Sequence, residues 1–347
     1  MPVLCRGRVG GMAGVAGIVR IVGVVGIAGR RPGEPRYPWR MPQTPAVPVP
    51  ASAPPLGLLL DVDGPIASPL TRSIAIPSIV EDLVRLASAG VPIVFNTGRS
   101  DAFLREEVVG PLLAAGLPDH ARVFAVCEKG AVWFEITAQG MGEVQVDGDL
   151  AVPAPIGRAV EALVAERFAD HVFFDETKRA MVSVEQRTDV TGEAYRPVQR
   201  DFDARAFAEF VERGLGVTDG SRHAPSADGD VDYRIDATII STDIESVVLG
   251  KDLGARRAID WLEQHGTLPI AWRTVGDSRT DYAMADWLHR NGFEVAHVDV
   301  RPADGVPETP YPVLTAGDLV HDEAGAAFLA RWVDMVHGRA EHDRDVA

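Results

Sequence analysis

Residues 56–65 read Leu56-Gly57-Leu58-Leu59-Leu60-Asp61-Val62-Asp63-Gly64-Pro65, and the fold turns on them. The apolar run Leu56 to Leu60 has the length of a buried strand, and the Gly64-Pro65 pair ends it. Ligands of an open parallel α/β sheet bind beyond the carboxyl ends of its strands, which puts Asp61 and Asp63 at that edge. Side chains alternate along extended chain, so the two carboxylates share a side. Carboxylates this close repel unless a cation or a shared proton relieves them. An isolated Asp-x-Asp-Gly also reads as a strand running into an Asx turn, so the rest of the chain must decide.

The surroundings are those of a globular α/β protein. The chain has 347 residues, 46% apolar and 24% charged, enough for one large or two ordinary domains. Its net charge of −16 argues against a nucleic-acid partner. An acidic protein handling an anionic substrate must recruit it locally, with a metal or a few basic side chains. Cys5 and Cys127 are the two cysteines and give neither a disulfide framework nor metal-site spacing, which fits a reducing, cytoplasmic setting. Cys127, inside Val123 to Cys127, reads as a small core residue.

Residues 1–40 stand apart, with seven arginines and Glu34 as the single acid, so the remainder carries −22. Residues 9–29 are apolar, but Arg20 splits the run, and an arginine at a membrane centre costs about 2.5–3.5 kcal/mol even on the lenient insertion scale. No membrane partner is expected. Six prolines in residues 42–55 read as an extended linker. Residues 1–55 are therefore expected to be a disordered, proline-rich extension, with Met41 a reasonable start.

Apolar spacing then predicts a helix over 78–89, between Pro77 and Gly90. Val91 to Phe95 is a second buried strand, ending in Asn96-Thr97-Gly98-Arg99-Ser100, with Ser100 capping the next helix. Arg122 to Cys127 is a third, followed by Glu128-Lys129-Gly130, where Lys129 reads as a surface lysine. Strands and helices alternating with short links indicate a doubly wound parallel sheet. From 131 the pattern changes: a hairpin over 131–146, helices over 156–168 and 203–213, strands over 172–174, 180–185 and 231–240. The α/β pattern returns at Gly250-Lys251, with a helix over 252–264. A strand over 270–275 then ends in Gly276-Asp277-Ser278-Arg279-Thr280-Asp281, a further strand spans 294–298, and an amphipathic helix covers about 323–337. The expected division is a catalytic core of residues 56–130 and 245–340, with an inserted α+β cap over 131–244.

Strand ends and a helix start thus bring Asp61, Asp63, Thr97, Lys251, Asp277 and Asp281 toward one crevice. Unit charges 4 Å apart interact by about 4 kcal/mol at an effective dielectric of 20, so four carboxylates call for a divalent hard cation. Mg²⁺ suits them, because it binds through carboxylates and substrate phosphate. One metal, one lysine, one hydroxyl and a free carboxylate make a site for phosphoryl transfer. Asp61 is the expected nucleophile and Asp63 the acid–base. Thr97 would hydrogen-bond a phosphoryl oxygen, and Lys251 would hold phosphate and Asp61 together. Asp61, Asp63, Asp277 and Asp281 are the expected metal site. Nine scattered histidines show no metal-ligand spacing.

The pattern resembles the haloacid dehalogenase-like phosphohydrolase superfamily. The matching stretches are Asp61-Val62-Asp63-Gly64, Asn96-Thr97-Gly98-Arg99, Lys251, and Gly276-Asp277 with Asp281, in the family's order over residues 56–300. The family usually has Thr or Val after its first Gly, where this chain has Pro65. The resemblance implies a Mg²⁺-dependent phosphatase for a small phosphorylated metabolite, with Gly98 and Arg99 at the substrate. An insert between the second and third motifs is similar to the larger caps of sugar-phosphate phosphatases. The run from Glu176 to Arg187 is similar to a cap segment of the trehalose-phosphate phosphatases, where Glu-x-Lys precedes His-x-Arg; Glu185 here stands in the histidine's place. By that resemblance Glu176, Lys178 and Arg187 bind substrate. A solvated strand edge is the competing reading of the same residues. A phosphomutase and a non-catalytic binding protein are the rival functions on this scaffold. Oligomeric state is not legible.

The first forty residues precede every predicted element. A chain beginning at Met41 is expected to unfold at the same temperature as the full chain, and a lowered midpoint would place residues 1–40 in the folded domain.

Overall fold

The computed structural model describes residues 53–339. The expected extension over 1–55 lies almost wholly outside them. In chain order the elements are β1 (Leu56–Leu60), α1 (Pro77–Ser88), β2 (Ile93–Asn96), α2 (Asp101–Leu104), α3 (Gly110–Ala114), β3 (Val123–Cys127), β4 (Val132–Thr137), β5 (Gly140–Met141) and β6 (Gln145–Val146). Next come α4 (Ala154–Leu163), β7 (Val172–Phe174), β8 (Val182–Gln186), α5 (Gly192–Glu212), β9 (Val217–Thr218), β10 (His223–Ala224), β11 (Tyr233–Ala237) and β12 (Ser241–Ser246). Then follow α6 (Lys251–Gln264), β13 (Ala271–Gly276), α7 (Tyr282–Arg290), β14 (Glu294–Asp299), β15 (Val313–Leu314) and α8 (His321–Val336). A π-helical turn, Arg105–Val109, joins α2 to α3.

The large sheet runs β15-β14-β13-β1-β2-β3-β4-β5, parallel from β15 to β3, with β6 also on β4. All five residues of β1 are buried, as a strand covered on both faces requires. α1 packs with α3 and α8, and α6 packs with α7, giving the two helical layers. The mostly parallel, helix-flanked sheet is the α/β architecture that the sequence pattern implies. β1 lies between β2 and β13, with Leu60 opposite both Phe95 and Val275. That register brings the residues after β1, β2 and β13 to one edge of the sheet.

The hairpin over 131–146 is not part of the insert, as the sequence reading placed it. Glu128, Lys129 and Gly130 have successive positive φ values of 48°, 53° and 112°. This turn returns the chain antiparallel along β3, where Val132, Trp133 and Phe134 are buried in a strand flanked by β3 on one side and the short β5 and β6 on the other. The second sheet comprises β7 to β12, in the order β10-β9-β11-β12-β8-β7. α4 and α5 cover one face of it through Ile156, Val160, Tyr195, Phe202 and Phe210, against Val182, Val184, Ile235 and Ile244. By alternation the other face carries Ser183, Glu185, Arg234, Asp236, Asp243 and Glu245. α5 begins eleven residues before the predicted helix, capped by Thr191, with Pro197 inside it. Tyr195, Gln199, Phe202, Ala206 and Phe210 bury the resulting stripe. Among the described residues no helix is long and apolar enough to cross a membrane.

α8 closes over the turn after β1. A Cβ on Gly325 would lie 1.9 Å from the Pro65 carbonyl oxygen, which is main chain and cannot swing away. Gly325→Ala therefore forces the helix off the turn, costing about 1–3 kcal/mol as overpacking does, against a helix-propensity gain of about 1 kcal/mol. At Gly192 an added Cβ meets nothing within 4 Å. Thermal unfolding is expected to show Gly325→Ala several degrees below the parent and Gly192→Ala at or slightly above it. Equal midpoints would refute the close approach.

Candidate active site

Lys251 opens α6, and its side chain is 8% exposed. Nζ lies 2.7 Å from Asp61 Oδ1 and 2.7 Å from Asp281 Oδ1, and donates to the Asn96 carbonyl at 2.8 Å. The ammonium is thus flanked by two carboxylates and a main-chain carbonyl. Asn96 returns a bond from Nδ2 to the Lys251 carbonyl at 2.8 Å, which ties the end of β2 to the start of α6. Asp61 Oδ1 also accepts from the Val62 N–H at 2.7 Å. Among the described residues no donor reaches Asp61 Oδ2, which leaves one carboxylate oxygen free to react.

Asp281 is held by a capping box. Its Oδ2 accepts from the Ser278 hydroxyl at 2.7 Å, the Ser278 N–H at 3.0 Å and the Asp277 N–H at 3.2 Å. Gly64 has φ 95°, and a Cβ there would stand 2.8 Å from Asp277 Cγ, so the turn after β1 needs glycine. Asp277 Oδ2 faces Arg301 at 3.9 Å and His321 at 3.6 Å. One oxygen from each of Asp61, Asp277 and Asp281 lies within 4.8 Å of the others.

One lysine does not balance three carboxylates. Burial, together with the Asp281 charge, pushes the Asp61 carboxyl well above the ordinary range, against the pull of Lys251. Burial and Asp281 raise Asp277 to about 6, against Arg301. Burial opposes the Asp281 charge too, but Lys251 and the Ser278 hydroxyl outweigh it and hold that carboxyl low. The Lys251 ammonium is likewise held charged against burial by Asp281 and Asp61. An all-oxygen, negatively charged cluster of this kind fits a hard divalent cation.

Thr97 is fully buried at the end of β2, and its hydroxyl accepts from the Arg99 N–H at 3.1 Å. Asp63 does not join the acidic cluster. Its carboxylate takes the Arg99 fork, from Nε at 3.0 and 3.1 Å and from Nη2 at 2.8 Å. Of the insert residues singled out by resemblance, Lys178 does reach the core, donating to the Gly98 carbonyl at 2.7 Å. Glu176 is exposed, and Arg187 is exposed and paired with Asp189 at 3.0 Å, as on a solvated strand edge.

Other residues do what the sequence did not reveal. Arg179 binds Asp101 at 2.7 and 2.9 Å, and the Thr177 hydroxyl donates to Ser100 at 2.7 Å. Buried Glu128 accepts from the N–H groups of Arg179, Ala180 and Met181 at 2.8–2.9 Å. Lys129 is not a surface lysine. Its ammonium lies 3.4 Å from Asp236, 3.0 Å from Asp243 and 2.9 Å from Glu245, and these charges overcome burial to hold it protonated. The polar pair Glu128-Lys129 at a strand's carboxyl end was the available signal. Its partners, far along the chain, were not.

No protein-family model matches the chain, and no curated protein does. Solved structures do. The C-terminal domain of trehalose-6-phosphate phosphatase from C. albicans is 15% identical, with a TM-score of 0.51 over 83% of this chain and 93% of that one. Trehalose-6-phosphate phosphatase from Aspergillus fumigatus is 14% identical, with a TM-score of 0.48 over 83% and 94%. An IMP-nucleotidase from Plasmodium falciparum is 13% identical, with a TM-score of 0.46 over 81% and 63%. At these identities the likeness is one of fold. It agrees with the haloacid dehalogenase-like core that the four motifs imply.

The raised Asp277 carboxyl sets a test. Its native state binds a proton more tightly than the unfolded chain does. Without a cation it therefore lowers stability as pH rises from about 4 to about 6, and Asp61 acts in the same sense. Mg²⁺ competes with that proton, so its stabilisation should be small at pH 5 and grow through pH 7. Unfolding midpoints with EDTA or Mg²⁺ across this range measure the difference, and a gap independent of pH would refute the cluster as the binding site.

Proposed function

We propose that this protein is a Mg²⁺-dependent phosphoric monoester hydrolase acting on a small phosphorylated metabolite, a sugar phosphate, through an aspartyl-phosphate intermediate. The observation that carries the reading is the Lys251 ammonium held at 2.7 Å from both Asp61 and Asp281, with Asp277 beside them. It sets a fixed positive charge among carboxylates at the ligand-binding edge of the sheet, where an acidic protein must recruit an anionic group locally.

Asp61 Oδ2 is the oxygen free to attack phosphorus. Oδ1 stays occupied by Lys251 and the Val62 N–H, which fixes the direction of attack. Asp63 donates its proton to the leaving alkoxide as the P–O bond breaks. It then takes a proton from the water that attacks the phosphorus of the acyl phosphate, releasing phosphate and restoring the Asp61 carboxylate. The buried Thr97 hydroxyl and Lys251 hold the phosphoryl oxygens. When bound by Asp61, Asp277 and Asp281, Mg²⁺ offsets the charge on carboxylates and phosphoryl group alike.

The sugar-phosphate part of the reading is supported by the insert. Its face toward the core carries four acids, Glu185, Asp236, Asp243 and Glu245, with Arg234 among them, and Lys129 and Lys178 link it to the core. Such a surface suits hydroxyl groups, which both donate and accept. The free buried Cys127 suits a cytoplasmic setting.

Phosphate release from sugar phosphates and from p-nitrophenyl phosphate tests the reading. EDTA is expected to abolish activity and Mg²⁺ to restore it. Asp61→Asn is expected to lower kcat by about a thousandfold or more with the unfolding midpoint near the parent's, since a lost nucleophile costs far more than a lost contact. Activity within tenfold of the parent, or undiminished by EDTA, would contradict it.

A further inference from the structure

Arg99 is placed where a substrate-binding residue is expected, yet its side chain is committed elsewhere. Nε and Nη2 hold the Asp63 carboxylate, at 2.8–3.1 Å. Nη1 points away, 3.7 Å from Oε1 of Glu185 on β8. The guanidinium lies 4.7 Å over the Phe103 ring, and the Arg99 N–H is taken by Thr97. Glu185 is itself anchored, its Oε2 3.3 Å from Arg72 in the loop after β1. It is 9% exposed, on the face of the second sheet that looks toward the core.

We propose that Arg99 is a positioning residue for Asp63 and that Glu185 in turn fixes Arg99. The second sheet thereby governs the acid–base step without touching the reacting atoms. The proposal rests on the phosphatase reading.

A planar guanidinium binds a carboxylate in one orientation, which a lysine or a water does not impose. Asp63 Oδ1 receives both Arg99 nitrogens, whereas Oδ2 receives Nε alone. Each carboxylate oxygen has two lone pairs, so Oδ2 keeps one for the proton that passes to the leaving alkoxide. Without Arg99, the Asp63 side chain, 40% exposed, would turn freely in solvent. Arg99 carries a long, flexible side chain as well, and an ordered one needs holding at both ends. Phe103 and Glu185 supply that. A neutral or short residue at 185 would leave the Arg99 and Arg72 guanidiniums without their shared counter-charge. The acid at this position, where the resembling cap segment has a histidine, thus has a defined partner.

The consequence is selective. A proton donor matters most when the leaving group is a poor one, because a good one departs unprotonated. Substituted phenyl phosphates, from p-nitrophenyl to unsubstituted phenyl, measure this as the dependence of kcat/KM on leaving-group basicity, because kcat/KM ends with leaving-group departure and excludes the later hydrolysis of the acyl phosphate. Arg99→Gln and Glu185→Gln should lower kcat/KM on phenyl phosphate by about tenfold or more and on p-nitrophenyl phosphate by about twofold at most. Neither should add to the loss already caused by Asp63→Asn, since residues acting as one unit are not additive. Equal loss on both esters, full additivity with Asp63→Asn, or no loss would overturn the proposal. Thermal unfolding without substrate reports the link independently of turnover. The Arg99→Gln and Glu185→Gln shifts should be non-additive in the double variant, and additive shifts would overturn the proposal. A parent that hydrolyses none of these esters overturns the phosphatase reading itself, while the unfolding cycle still decides whether the two side chains are coupled.

Discussion

A buried ammonium must find acceptors for its protons, and Lys251 finds three on three different elements. Asp61 follows β1, Asn96 ends β2 and Asp281 precedes α7. Stranding any one of these groups costs several kcal/mol, because a buried charge without its partner is far dearer than the pair. The same contacts that satisfy the lysine therefore lock the register of β1 and β2 against α6. Fold and site share one set of polar contacts, and loss of the lysine would disturb both.

The surplus of negative charge at this edge explains the arrangement of the rest. Asp61 and Asp277 are pushed upward by burial and by Asp281, so in the absence of a cation they resist ionisation. A nucleophile needs its charge. The cluster is tolerable when protonated and useful when a cation replaces the proton. The second sheet faces this edge with its own carboxylates, and the core answers with Arg72, Arg99 and Lys129. Ties run the other way as well, from Lys178 to the Gly98 carbonyl and from Arg179 to Asp101. The contacts between the two sheets thus land on the segments that follow β1, β2 and β3, with Gly98 to Asp101 taking several of them.

The motifs were legible because each sits within a few residues of an apolar run. Leu56–Leu60 is a buried strand by composition, and in a parallel sheet a strand's carboxyl end is where polar residues gather. What the sequence hid was pairing at a distance. Nothing local in Val132–Thr137 says that it returns along β3 rather than joining the insert. The early start of α5 was masked by Pro197, which a helix tolerates only near its beginning. The partners of Lys129 lie on β11 and β12, more than a hundred residues away, and an isolated lysine after a strand is usually solvated. Arg187 shows the opposite error: a spacing that matched a known segment ended at the surface, beside Asp189.

The central claim is that Asp61, freed on one oxygen and fixed on the other by Lys251, takes the phosphoryl group. Quenching the enzyme in acid during turnover, digesting it and weighing the peptides tests this directly. The account predicts a phosphoryl group on the peptide carrying Asp61, removed by hydroxylamine as an acyl phosphate is, and absent from Asp61→Asn. Turnover with no phosphoryl group on that peptide, or with one on another residue, would contradict it.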